Sequence, residues 1–146
     1  LQELKRNFMQ NSWQYRYKLN MSVTEMKIPS FNDPRESIQL FTNTVERLKT
    51  MDIHFSNQNL QAILIHKLDG KNYRDLILKL TDKLANERDA YSHAQMCLHI
   101  QAYYDNHRDA FETAKAENKH SVAEANNIKN KRLNRATHKV PKRQKN

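Results

Sequence analysis

The stretch Asp33-Pro34-Arg35-Glu36-Ser37-Ile38-Gln39-Leu40-Phe41-Thr42-Asn43-Thr44-Val45-Glu46-Arg47-Leu48 decides the fold. Asp33 can cap a helix. Pro34 suits the first helical position, where its missing N–H costs nothing, and Glu36 can complete a capping box. Ile38, Phe41, Val45 and Leu48 then follow at i, i+3, i+7 and i+10, a single apolar stripe running to about Met51. A start signal followed by a 3.6-residue period is a helix with one buried face.

The same grammar extends in both directions. Ser56 is placed to cap a short helix carrying Leu60, Ile63, Leu64 and Leu68, and Asp69-Gly70 stops it. Gly70 is the chain's one glycine, and it falls where a left-handed helix end favours that residue. Asn72 and Asp75 open a fourth helix with Tyr73, Leu76, Ile77, Leu80 and Leu84 on its apolar side. Ser92-His93-Ala94-Gln95 is a second capping box, with Tyr91 and Met96 spaced as a hydrophobic staple. The helix after it carries Met96, Cys97, Ile100, Tyr103 and Tyr104 and extends toward Phe111. Upstream, Leu1, Leu4, Phe8, Tyr15 and Leu19 lie at helical intervals, with Met9, Trp13 and Tyr17 on an adjoining face. That helix ends before Lys27-Ile28-Pro29, because Pro29 drives Ile28 out of the α region.

The expected fold is therefore all-α, a small bundle of about five helices with short connections. One Gly and three Pro in 146 residues exclude a hairpin-rich β architecture, which needs turn residues at short intervals. A mean hydropathy of −0.97, without any apolar run of about 18 residues, excludes a transmembrane helix. The chain opens on a charged amphipathic segment and not on an apolar leader. Cys97 is the only cysteine, so an internal disulfide is impossible and a reducing compartment fits. Asn20-Met21-Ser22 spells a glycosylation sequon but has no secretory context. The absence of an initiating Met leads us to expect a processed product or a fragment.

Charge divides the chain more sharply than hydropathy does. Residues 115–146 hold ten Lys/Arg and two Glu, a net of +8 within the whole chain's +9. The expected organisation is an N-terminal amphipathic helix and linker over 1–32, a helical domain over 33–114, and a basic, disordered tail over 115–146. Lys129, Lys131, Arg132, Arg135, Lys139, Lys142, Arg143 and Lys145 are the expected phosphate contacts, since clustered cations neutralise a polyanion without a preformed groove. No element reads as a base-contacting helix, so little sequence specificity is expected. The same tail also has the loose look of an import signal at Lys129-Asn130-Lys131-Arg132 and Lys142-Arg143.

Other chemistry is poorly supported. His93 and Cys97 share a helix face with His99 nearby, but no further ligand stands at a zinc-like spacing and there is no CxxC or HExxH. One glycine cannot build a phosphate loop, and most carboxylates fall at helix starts, where capping accounts for them. We expect no enzymatic activity, no metal and no cofactor, and neither a membrane nor a small-molecule substrate as partner. Trp13, Tyr15 and Tyr17 alternate over more than one helix face, so part of the set must be exposed. Exposed aromatics on a small domain favour a protein contact over base stacking, and self-association is the expected use.

A family resemblance enters on four segments. Phe41-Thr42-Asn43-Thr44-Val45-Glu46-Arg47-Leu48, Asp52-Ile53-His54-Phe55, Leu64-Ile65-His66-Lys67-Leu68-Asp69-Gly70-Lys71-Asn72-Tyr73 and Leu98-His99-Ile100-Gln101-Ala102-Tyr103-Tyr104-Asp105 occur in this order. Together they resemble the C-terminal capsid region of Gag from copia-type long-terminal-repeat retrotransposons, particularly the yeast elements. The resemblance covers about half of the chain. It implies a structural protein that assembles virus-like particles in the cytoplasm and packages RNA, with a basic segment after the capsid fold. Many Gag proteins carry a Cys-His zinc knuckle, which a single cysteine cannot form, whereas the yeast-type elements do without one. An upstream capsid domain, also implied by the family, is missing, so a shortened Gag that interferes with assembly is a further expectation. The alternative is a nuclear, DNA-associated helical protein using the same tail.

Overall fold

The computed structural model describes residues 2–144, with side chains over 12–135. Six helices follow one another: α1 (Gln2–Thr24), α2 (Arg35–Thr50), α3 (Asn57–Lys67), α4 (Arg74–Glu87), α5 (His93–Asn106) and α6 (Arg108–Gln144). Among the described residues there is no strand. The all-α expectation holds. By contact the chain falls into two compact units that divide between Arg108 and Asp109.

In the first unit the decisive stripe performs as its spacing requires. Ile38, Phe41, Val45 and Leu48 are all buried, with Leu48 fully so. Leu60 and Leu64 of α3, Leu76 and Leu80 of α4, and Met96 and Ile100 of α5 complete the core. Val23, Met26 and Ile28 are also buried. They belong to the end of α1 and the connection after it, a segment whose packing the apolar pattern of α1 did not announce. α1 therefore meets α2 through its last turns, while Tyr15, expected on the buried face, is exposed.

The helix starts are correct in outline and differ in detail. Asp33 accepts the Arg35 N–H at 3.0 Å, and the Pro34 carbonyl accepts from Ile38, so α2 begins one residue later than the motif suggests. Arg35, not Glu36, completes the arrangement: its guanidinium reaches Asp33 at 2.9 Å and also bonds Asp105 at the end of α5. Ser56 caps α3 through the Asn59 N–H, and the Ser92–Gln95 capping box closes in both directions. Asn72 is not a helix cap. Its amide donates to the Ser30 carbonyl at 2.7 Å and so anchors the α1–α2 connection, while the Asp69 carboxylate takes the Lys71 and Asn72 N–H groups.

Gly70 does not adopt the left-handed conformation expected of it; no glycine here has positive φ. α3 ends instead because Leu68 turns extended, at φ −75° and ψ 134°. The left-handed residue is Asp52, φ 62°, after α2, where a short polar side chain tolerates that region better than most.

Buried polar groups concentrate where α3 meets the turn before α5. Gln61 donates to the carbonyls of Arg88 and Tyr91, and Asn57 donates to Tyr91 while accepting the His93 N–H at 2.8 Å. These bonds fix the entry of α5, because breaking one strands a buried carbonyl or N–H at a cost of about 1–3 kcal/mol.

α5 stops at His107, whose φ of −125° and ψ of 26° leave the helical region. Where disorder is expected from residue 115, the described backbone is a single helix to Gln144. Lack of apolar periodicity was the reason for expecting disorder. The segment is nonetheless rich in Lys and Arg, with four Ala and no Gly, a composition that favours helix without any burial. From Ala116 to Arg135 every side chain is exposed.

Candidate nucleic-acid interface

The basic residues singled out in the sequence come together on one element. Lys129, Lys131, Arg132 and Arg135 are exposed along α6. Lys139, Lys142 and Arg143 continue the same helical backbone, though their side chains lie outside the described residues, as does Lys145 altogether. Beyond Glu124 the sequence of α6 holds seven Lys/Arg and no carboxylate. The first half differs, with Asp109, Glu112, Glu117 and Glu124, the last paired to His120 at 3.0 Å. Exposed cations with no nearby anion keep their full attraction for a polyanion, since nothing in the fold pre-empts them.

Trp13, Tyr15 and Tyr17 of α1 separate into two roles. Trp13 and Tyr17 stack with ring centroids 5.7 Å apart and planes at 14°, and they stay 66% and 53% exposed. Tyr15 is tied to α2 instead, its hydroxyl accepting from Arg47 at 2.8 Å. Two stacked rings held open to solvent are a ready anchor for another surface.

The groups considered for metal or nucleophilic chemistry have structural partners. His93 faces the Asn57 carbonyl oxygen at 3.1 Å, and His99 is bonded to the Tyr91 hydroxyl. Cys97 is buried, and burial pushes its thiol up to about 11, away from the reactive thiolate. Among the described residues no group of three or more His, Cys, Asp or Glu comes together. Nor is any described helix long and apolar enough to cross a membrane.

These shifts set a pH profile. Burial raises Tyr91 to about 12, and it lowers His93, with Lys49 adding to the effect and Glu46 opposing it. Burial, then Lys83, lowers His99 in the same way. Keeping Cys97 and Tyr91 neutral stabilises the fold fully below their ordinary values of 9.0 and 10.0, and that stability is lost as pH rises toward 11 and 12. Keeping His93 and His99 neutral stabilises it above 6.5 and fails as pH falls below that. Urea midpoints should therefore peak between about pH 7 and 9, with a loss of roughly 2 kcal/mol or more on going to pH 11. A midpoint unchanged from pH 8 to pH 11 would refute the burial assigned to Cys97.

Comparison with protein-family models, with curated proteins and with solved structures yields no match to this chain.

Proposed function

We propose that this chain is a Gag-type structural protein, non-enzymatic and free of cofactors. Its first helical unit associates with further copies of itself, and its basic helix binds RNA through phosphates without sequence preference. The observation that carries this reading is the segregation of charge. A near-neutral helical unit is followed by a helix that is exposed from Ala116 to Arg135 and carries only positive charge beyond Glu124, so assembly and polyanion binding have separate surfaces. The exposed Trp13–Tyr17 stack supplies the self-association anchor. The sequence resemblance to copia-type Gag supports the same assignment and adds the cytoplasmic particle as its setting. A shortened form of this kind would dock on assembling copies and interrupt the shell.

One observation favours a second reading. The cationic segment is helical, and a basic helix fits the major groove of duplex DNA, which admits an α-helix. A nuclear DNA-associated protein would use α6 in that way.

Size-exclusion chromatography with light scattering, with and without a single-stranded RNA, tests the proposal. The expected mass exceeds that of one chain and rises further with RNA, and Trp13→Ala lowers it toward a monomer. A chain that remains monomeric in both conditions would sink the proposal, and preference for a DNA duplex at equal ionic strength would select the second reading.

A further inference from the structure

Between α4 and α5 lies an open cleft of about 310 Å³ that neither self-association through α1 nor phosphate binding by α6 employs. Its floor is apolar, formed by Leu76 and Leu80 of α4 with Ala102 and Tyr103 of α5. One wall is cationic. Lys79 and Lys83 stand one turn apart on α4, and the imidazoles of His99 on α5 and His107 just past its end line the facing side. None of the residues lining it is acidic.

The aromatic walls are already ordered. Tyr103 and His107 stack at 4.1 Å, and His99 stacks on Tyr91 at 5.5 Å, with the Tyr91 hydroxyl bonded to His99 Nδ1. Lys83, which lines the cleft, has its Nζ 4.7 Å from the centre of the Tyr91 ring, a cation–π contact that orders the ammonium. Asp75, one turn before Lys79, acts on Tyr103 and makes that end the less cationic one. An anion therefore belongs at the Lys83 end.

We infer that this cleft is a subsite for one nucleotide of single-stranded RNA, its base on the apolar floor beside the Tyr103–His107 stack and its phosphate on Lys79 and Lys83. Size decides against a larger occupant. The volume is at the lower end of small-ligand sites, about 300–1,000 Å³, and a helix of roughly 10 Å diameter does not fit. Chemistry decides the rest, since a flat apolar body next to an anion is a nucleotide, and stacking on an aromatic face tolerates any base. Inorganic phosphate leaves the floor unused, and an acidic side chain lacks the flat body. The inference rests on the RNA reading of the chain and adds a point of base contact to it.

The test uses amide NMR spectra of the full chain titrated with adenosine 5′-monophosphate at millimolar concentration. The expected result is movement of the Lys83, His99 and Ala102 signals, with Ala102 unmoved by inorganic phosphate alone. Lys79→Gln with Lys83→Gln should reduce the shifts at least fivefold, and Ala102→Glu, a surface change that places a carboxylate on the floor, should abolish them. Exchanging the basic residues of α6 for glutamine should leave them intact. Shifts confined to α6, equal shifts with phosphate alone, or none at all would overturn the subsite. Equal shifts with poly-glutamate would overturn it too and assign the cleft to an acidic protein partner. The nucleotide titration reads the cleft alone. A chain that binds an RNA oligonucleotide but shows no cleft shifts loses this inference and keeps the proposed function, whereas cleft shifts without RNA binding would overturn the RNA reading and leave only a mononucleotide site.

Discussion

Exchanging Lys129, Lys131, Arg132, Arg135, Lys139, Lys142, Arg143 and Lys145 for glutamine is expected to lower affinity for single-stranded RNA by about a thousandfold or more at low salt, while the helical circular-dichroism signal of the first unit and its melting persist. The magnitude follows from counterion release. Each phosphate neutralised on a single strand contributes about −0.7 to the log–log salt slope, so eight contacts give a slope no steeper than about −6. The variant should fall to a slope of about −1, the share that one phosphate on Lys79 and Lys83 would leave. Glutamine preserves side-chain length and helix propensity, so the comparison isolates charge. Retained affinity with an unchanged slope would show that α6 is not the polyanion surface. Collapse of the fold would show that the basic residues hold the structure.

Phe41→Ala is the second large effect. Phe41 is 2% exposed in the middle of the α2 stripe, and its ring is among the largest fully enclosed side chains in the chain. Truncation removes the transfer energy of the ring and leaves a cavity, together about 3–5 kcal/mol. For a domain near 100 residues this corresponds to a fall in melting temperature of ten degrees or more, at roughly 4–8 °C per kcal/mol. Thermal melts of the variant and the parent chain decide the point. A midpoint within two or three degrees of the parent would mean that the stripe does not form the core.

What could be read in advance depended on how local the governing interactions are. Ile38, Phe41, Val45 and Leu48 announced their burial because a 3.6-residue period and a one-sided core are the same fact. Ser56 and Ser92 announced their caps because capping spans three residues. Val23, Met26 and Ile28 were missed, since their burial depends on where the α1–α2 connection crosses the bundle. Asn72 reads as the opening of α4, while its amide's partner, the Ser30 carbonyl, is distant in sequence and no local pattern announces it. Gly70 was given a left-handed role by residue type, while φ of 62° went to Asp52. The positive charge of the candidate interface was legible by counting, but its helical backbone was not, because hydropathy is silent on a helix that buries nothing. The cleft between α4 and α5 was invisible for another reason. Lys79, Lys83, His99 and His107 are ordinary surface residues until two helices set them opposite one another.

The helical form of the cationic segment has a consequence for how it would hold RNA. Successive residues on a helix turn by about 100°, so Lys129, Lys131, Arg132 and Arg135 all fall within an arc of about 160° on one side of α6. A limp polycation can bend its charges to follow any strand, but a rod of this kind presents them along a single flank. One strand running along that flank would meet them without coiling about the rod. Over residues 125–135 the opposite side carries no cation, so each copy would hold one strand and not bridge two.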